Sequence, residues 1–302
     1  MLVSVVIPAY NHEQFIGPAI DSVLGQSWQE LELIVIDDGS TDRTGEVVQS
    51  YDDPRLSYYY QENQDAFNTI NRGMGMAKGE YIAILNSDDI YTTDRLEKLV
   101  AGQQKSGAAC LFTDVIPISD QGEEFSDPAF GWNVWHQKNR QWYFDCQDLY
   151  TAFLKGNFMV TTSNLFMTAE AVQRVGNFCS LRYLHDYDFI FRMMLAHPDQ
   201  VQYLADDKLL YYRIHDGNTL GEAAISGRQQ DMEVIKKYML AALPEQYRTL
   251  VAAGTDRLME LRDELQQVEA DLASGAEPSV SEQFARLKSA VAFKVRKKIG
   301  KK

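Results

Sequence analysis

Strand-like and helix-like segments alternate through the first hundred residues of this 302-residue chain, and two of the strand-like runs end in paired carboxylates. Leu31–Ile36 runs into Asp37, Asp38, Gly39 and Ser40, and Tyr81–Leu85 runs into Asn86, Ser87, Asp88 and Asp89. Alternation at this spacing implies βαβ units and a mainly parallel sheet. In an open parallel sheet, ligands bind beyond the carboxyl ends of the strands. Asp and Ser are also ordinary turn and cap residues. Two acidic clusters delivered to one edge nevertheless suit a divalent cation, and the cation suits a nucleotide's phosphates.

The pattern predicts a strand over 2–7 and a helix carrying Phe15, Ile16, Ala19, Ile20, Val23 and Leu24, with Asn11 as its N-cap. A strand at 31–36, a helix from about 41 to 50 and a short strand Leu56–Tyr60 follow. A helix over 66–77 is expected to close at Gly79 in the C′ position, before a strand at 81–85 and a helix near 94–105. Beyond residue 106 the alternation loosens. Strands are expected at 109–113 and 164–167, a helix at 186–196 and a strand at Leu209–His215. The stretch 119–145 reads as a long irregular insert rich in aromatics (Trp132, Trp135, Trp142, Tyr143, Phe144), whose rings can stack on sugars or pack over the core edge.

From about 220 the chain reads as helical. Leu258, Leu261, Leu265, Val268 and Leu272 form a short a/d seam, consistent with a dimer contact through 256–273 or a helical hairpin folded back on the body. Ser274–Ser279 breaks it, and a last helix places Phe284, Leu287, Val291 and Val295 on one face. The division expected is 1–105, a nucleotide-binding half; 106–218, an acceptor-binding half of the same domain; and 219–302, a helical extension.

Charge narrows the partners. The net charge is −14, yet residues 281–302 carry eight Lys/Arg against Glu282 alone, leaving the rest at −21. A body that acidic repels nucleic acid. The basic tail can lie on an anionic membrane, each Lys or Arg adding about 1 kcal/mol there, or remain solvated and complement a helix dipole. No apolar run approaches the roughly 18 residues of a membrane span, and Met1–Pro8 lacks the basic start of a signal peptide. Three widely spaced cysteines (Cys110, Cys146, Cys179) make no disulfide or zinc pattern, so a reducing cytoplasm is expected.

At this point the motifs carry a resemblance. Val5-Val6-Ile7-Pro8-Ala9-Tyr10-Asn11, Ile36-Asp37-Asp38-Gly39-Ser40-Thr41-Asp42, Lys78-Gly79-Glu80-Tyr81-Ile82 and Ser87-Asp88-Asp89 resemble, in order and spacing, family 2 glycosyltransferases of the GT-A fold, over roughly residues 1–218. The resemblance implies a Rossmann-like α/β domain and an inverting transferase that uses a nucleotide-diphospho-sugar. Pro8, Tyr10 and Asp38 match positions that contact base and ribose, with Asn11 and Asp37 beside them. Asp38 can accept from a base imide N–H, which favours uracil or thymine, and Tyr10 offers a ring for stacking or packs at the edge. Asn86, Ser87 and Asp88 match the family's Asp-x-Asp, whose last carboxylate binds Mn²⁺ or Mg²⁺; Asp89 remains beside it. Such an ion acts as a Lewis acid on the departing diphosphate.

Tyr211-Tyr212-Arg213-Ile214-His215 resembles the family's Tyr-Arg-x-His segment, making His215 a candidate second metal ligand and Arg213 a candidate phosphate contact. His185-Asp186-Tyr187-Asp188 stands where the family shows Glu-Asp before a helix. Asp186 is therefore the expected base, with Asp188 in reserve. Three departures stand out: Asn86 for Asp, His185 for Glu, and Asp65 where Gly is common. They are expected to weaken the metal site, alter acceptor contacts and alter sugar selection.

The acceptor implied is a glycan or a lipid-linked hydroxyl at the inner face of a bacterial membrane. Two rivals stand beside this reading: a non-catalytic GT-A scaffold recruiting partners through its helical tail, and a nucleotidyltransferase, although Pro8–Asn11 is not a Gly-rich phosphate loop. A Rossmann dehydrogenase is disfavoured because no Gly-x-Gly-x-x-Gly follows the first strand.

Overall fold

The computed structural model describes residues 1–181, 183–215 and 226–273. An eight-stranded mixed sheet organises the first compact unit, Met1–Tyr238. Its strands are β1 (Val3–Ala9), β2 (Leu31–Asp37), β3 (Leu56–Tyr60), β4 (Tyr81–Ile84), β5 (Ile90–Tyr91), β6 (Cys110–Ile118), β7 (Phe166–Thr168) and β8 (Val201–Arg213). The spatial order is β3-β2-β1-β4-β7-β6-β8-β5. β3, β2, β1 and β4 run parallel, β7 is antiparallel to both β4 and β6, and β6 pairs parallel with β8. The acidic ends of β2 and β4 therefore reach one edge on either side of β1, as the alternation requires.

The period of two along each strand builds two cores. Val3, Val5, Ile7 and Ala9 of β1 join Tyr81, Ala83 and Leu85 in the core beneath helix α1 (Ile16–Leu24). Ile82 and Ile84 face the other way, onto α3 (Ala66–Met76), whose Phe67, Ile70 and Met74 belong to the second core. Helix α2 is Thr44–Gln49, between β2 and β3. Gly73 permits the close approach of α3: a Cβ there would lie 2.2 Å from Cγ1 of Val6. Helix α4 (Arg95–Ser106) ends at Gly107, whose φ of +70° makes the left-handed C-terminal turn.

Several local expectations shift. Asn11 is not the N-cap of α1, which starts at Ile16; it sits at φ +50° in the preceding loop. Helix α3 ends at Met76 with Ala77 extended, so Gly79 is no C′ residue. It is small because a Cβ would meet Leu2 O and Ser4 N at 2.7 Å. The strand expected at 209–215 is the end of a longer one, Val201–Arg213.

The aromatic insert is not irregular. Gly131–Cys146 forms helix α5, followed by α6 (Leu149–Phe153). Its aromatics face more than one side and hide the helical period. Trp132 stacks on His136 and Tyr212, with centroids 4.9 and 5.7 Å apart, and Trp142 takes the Lys155 ammonium 4.0 Å above its ring. A buried Asp114 on β6 anchors α5 by accepting from Arg140 at 2.5 Å and pairing with His136 at 2.6 Å.

Helix α7 (Ala169–Val175) precedes α8 (His185–Ala196), and α9 (Ser226–Ala241) closes the unit. The first compact unit runs on to Tyr238, and Val234 and Tyr238 of α9 are among its core residues. Asp188, at 1% exposure, is where α9 is tied to α8: it accepts from Lys237 Nζ at 2.7 Å and Tyr238 Oη at 2.6 Å, besides Arg192 Nε at 2.7 Å. In the second unit, α10 (Glu245–Ala273) exposes Leu258, Leu261 and Leu265. The basic tail 281–302 and the break before it lie outside the described residues. No described helix is long and apolar enough to cross a membrane.

Candidate active site

Three loops at the carboxyl edge of β1, β2 and β3 form the first half of the site. Asn11 Oδ1 accepts from Thr41 N at 2.8 Å, and Asn11 N donates to Ser40 Oγ at 3.0 Å, so the loops after β1 and β2 are locked together. Asp37 is buried, its oxygens accepting from Ser40 N and Tyr58 Oη at 2.8 and 2.9 Å. It holds the turn. Asp38 accepts from Gln61 Nε2 at 2.6 Å and Gln64 N at 2.9 Å, drawing in the loop after β3. Gly39 lies between them at φ +82°, where a Cβ would meet Asn63 N at 2.9 Å. Pro8 closes β1 partly buried, while the Tyr10 ring is 48% exposed and open to a partner. Asp65, before α3, has φ +68° and ψ 151°, a region populated almost entirely by Gly. The Asp at this position is thus a strained substitution.

At the end of β4 the four motif residues separate. Asn86 Nδ2 donates to Thr161 Oγ1 at 3.0 Å. Asp89 is enclosed, accepting from Ser163 Oγ at 2.6 Å, Arg213 N at 3.0 Å and Thr161 Oγ1 at 3.2 Å. Burial, then the neighbouring Asp88 charge, holds its pKa above the ordinary carboxylate range. Asp88 instead meets His215 Nε2 at 3.1 Å. Burial acts to raise Asp88, but the His215 hydrogen bond and the charges of His12 and His215 outweigh it, and the net shift is downward. His12 joins them. Donor atoms from His12, Asp88 and His215 lie within 4.8 Å of one another, a two-imidazole, one-carboxylate set that fits a divalent ion. Burial lowers the His12 pKa and favours the neutral, ligating imidazole.

Arg213 belongs to the framework of the site. It is 3% exposed, donates from Nε to Asp88 O at 2.8 Å and from Nη1 to Ser119 O and Asp120 O at 2.9 and 2.8 Å, and lies 4.9 Å above the Phe15 ring. These bonds set the Asp88 backbone.

The second half is built around the N-terminus of α8. Asp186 is 7% exposed; Oδ1 accepts from Tyr187 N at 2.7 Å and Oδ2 from Asn157 Nδ2 at 3.4 Å. Burial raises its pKa, which suits a group that must hold a proton taken from an alcohol. His185 Nε2 is 3.2 Å from Thr162 Oγ1. Asp188 is spent on the four-partner cluster that also includes Cys179 Sγ, so it belongs to packing, whereas Asp186 has no ion-pair partner of that kind among the described residues.

Sequence reasoning missed three contributors. His12 directly follows the quoted first motif. The polar run Thr161-Thr162-Ser163-Asn164, a 3-10 turn over Thr162–Asn164, links Asp89 to His185 and was readable only as four polar residues before a strand. Asn157 faces Asp186. Neither of these last two carries a local signature. Asn71, which fits the family pattern in Asn71-Arg72-Gly73, exchanges two hydrogen bonds with the backbone of Phe178 at 2.7 and 2.9 Å and so fixes the approach to α8.

The family model described as "Glycosyl transferase family 2" matches residues 4–170. The chain belongs to glycosyltransferase family 2. Among curated proteins, this family 2 enzyme is 28% identical over 267 residues to an uncharacterised glycosyltransferase of Rickettsia typhi, covering 85% of this chain and 77% of that one. It is 29% identical over 254 residues to the glycosyltransferase GlyG of Streptococcus pneumoniae, covering 78% and 79%. Among solved structures, S. aureus TarS 1–349 in complex with UDP-GlcNAc superposes with a TM-score of 0.63 at 19% identity, over 84% of this chain and 71% of that one. The mannosyltransferase PcManGT of Pyrobaculum calidifontis, in complex with GDP-Man and Mn²⁺, gives 0.59 at 17% identity, over 97% and 80%. At these identities the structures establish the shared GT-A fold.

Proposed function

We propose that this glycosyltransferase moves a sugar, with inversion, from a UDP-linked donor to a hydroxyl of a glycan or lipid-linked acceptor. The observation that carries the reading is the pairing of Asp88 with His215 across a polar turn from the buried Asp186. Asp186 accepts the acceptor's hydroxyl proton as the new C1–O bond forms and the C1–O bond to the diphosphate breaks, its electron pair leaving on UDP. A single in-line displacement needs no enzyme nucleophile, and none is drawn from this chain. Asp88 and His215 would hold Mn²⁺ or Mg²⁺, which when bound neutralises charge on the departing diphosphate.

Asp38 and Tyr10 support base recognition, with Pro8, Asn11 and Asp37 shaping that wall; Ser87, Asn86 and Arg213 position the metal side. Uracil is preferred because Asp38 can accept from its imide N–H; the UDP-GlcNAc complex of the TarS neighbour agrees, whereas the GDP-Man complex of PcManGT keeps guanine in the comparison. The exposed Trp135 and Phe144 of α5 offer ring faces to an acceptor glycan. Peripheral attachment to an anionic membrane through 281–302 and pairing through the exposed Leu258, Leu261 and Leu265 complete the proposal.

Transfer and donor hydrolysis across a panel of UDP-, GDP- and dTDP-sugars, with and without Mn²⁺, test it. Turnover confined to UDP-sugars supports the reading; turnover only with GDP-sugars overturns the base assignment. Absence of both binding and turnover would favour the scaffold. Sedimentation with anionic vesicles and light scattering, with and without 281–302 or with Leu261→Asp, test the tail and the seam.

A further inference from the structure

His12, which joins Asp88 and His215 in the site but has no part in the function proposed above, is fixed through both backbone and ring. Its backbone N donates to Thr44 Oγ1 at 2.9 Å, and Thr44 in turn donates to Asp42 at 2.6 Å. Its Nδ1 is engaged by Ser87 Oγ at 2.7 Å, 75 residues away in sequence. The ring stands edge-on to Phe15 and to His215, with centroids 5.7 and 5.8 Å apart. A hydroxyl that fixes one ring nitrogen sets the ring plane and leaves the other nitrogen for a ligand.

We propose that His12 is a third protein ligand to the divalent ion of Asp88 and His215, and that the set of two imidazoles and one carboxylate selects Mn²⁺ over Mg²⁺. The inference rests on the reading of Asp88 and His215 as metal ligands. Its first support is geometric, since one donor atom from each of the three residues falls within 4.8 Å of the others. Its second is the distribution of charge in the β4 turn. Asn86 has replaced a carboxylate and turns its amide to Thr161, while Asp89 is surrounded by Ser163, Thr161 and the Arg213 backbone. Asp88 is therefore the carboxylate of the turn that meets the histidines, and nitrogen supplies the rest of the protein's share.

That composition decides selectivity. Mg²⁺ demands a near-octahedral shell of oxygens and gives up water reluctantly. Imidazole nitrogen binds first-row transition ions with increasing preference along the Irving–Williams series, of which Mn²⁺ is the first member. Exchanging an oxygen ligand for a second imidazole weakens the case for Mg²⁺ more than for Mn²⁺.

The test uses the full chain without any donor, so that the readout is the ion itself. Free Mn²⁺ is followed by electron paramagnetic resonance during titration, and Mg²⁺ is then added as competitor. The expected result is saturable Mn²⁺ binding that a hundredfold excess of Mg²⁺ displaces poorly. His12→Ala should weaken Mn²⁺ binding by about tenfold or more while leaving weak Mg²⁺ binding unchanged, so that the preference narrows. His12→Asn, which keeps a group able to bond Ser87, should behave as His12→Ala does. This separates ligation from support of Ser87 and serves if the alanine variant unfolds. Binding of Mn²⁺ by both variants as tightly as by the unaltered chain, with Asp88→Asn inactive in binding, would overturn the role of His12 alone. Undiminished Mn²⁺ binding by Asp88→Asn would overturn the underlying metal assignment as well.

Discussion

Ser163 Oγ donates to Asp89 Oδ2 at 2.6 Å while accepting the backbone N–H of Asn86 at 2.8 Å. One hydroxyl thus fixes both flanks of the turn that carries Asp88. The residue before it, Thr162, lies against His185, the neighbour of Asp186. The segment between them therefore spans the two chemical halves of the site. Val160, just upstream, adopts φ +77°, a conformation costly for a β-branched side chain. Strain of that kind persists only where surrounding contacts enforce it.

Ser163→Ala removes a donor from a buried carboxylate and the acceptor of the Asn86 amide. It should cost about 1–3 kcal/mol of stability, read as a lowered denaturant midpoint. Donor affinity should weaken with it, because Asp88 shares the turn. Calorimetry with UDP and Mn²⁺ would show this.

Asp186→Asn should reduce transfer by at least a thousandfold with nucleotide affinity within about twofold of the unaltered enzyme. Because burial raises the Asp186 pKa, the ionised base is fully present only at a pH above the ordinary carboxylate range. The rate should therefore rise with pH along an acid limb displaced upward from the ordinary aspartate value of about 3.9. A pH–rate profile of kcat/KM checks the limb, and its survival in the Asn variant would remove Asp186 from the base role.

Asp188 behaves in the opposite sense. Burial opposes its ionisation, but Lys237, Tyr238, Cys179 and Arg192 together hold its folded-state pKa well below normal. Its stabilising contribution is complete above the unfolded value of about 3.9 and is lost as pH falls through that value towards the depressed folded one. Asp188→Asn should cost about 3–5 kcal/mol at neutral pH, since it leaves partners of a buried ion cluster uncompensated. The difference from the unaltered protein should shrink in acid, as urea unfolding at pH 7 and pH 3 would reveal.

Asp65→Gly should stabilise the protein by about 1 kcal/mol, because glycine enters the φ +68°, ψ 151° region without the strain of a Cβ. The measurement is a rise in Tm. A change in donor-sugar preference in the same variant would show that the carboxylate, not only the strained backbone, acts on the donor.

Much of this was legible because it is local. Period-two apolar runs place β1, β2 and β4 side by side, and the residues that end them, Asp37-Asp38 and Asn86–Asp89, fall on the shared edge by topology. The helix that carries Asp186 was legible for the same reason, its apolar spacing being local; Asp186 itself was singled out by the resemblance, not by the pattern. The aromatic segment was not legible: Trp132 and Trp142 are half-buried while Trp135 and Phe144 are exposed on α5, which erases the helical period.

The sequence by itself determined the alternation, the parallel half of the sheet and the edge at which its carboxylates gather, since these follow from periodicity and chain connectivity. Only the tertiary structure decided what each carboxylate does. Asp88 meets His12 and His215 because loops far apart in the chain converge on it, whereas Asp89 is enclosed by Ser163 and Arg213. Burial raises the Asp186 pKa, while Asp188 is consumed by α9. Neighbouring residues of one chemical type diverge in role because burial, charge and hydrogen-bond donors arrive from elsewhere in the chain, and no local pattern records that arrival.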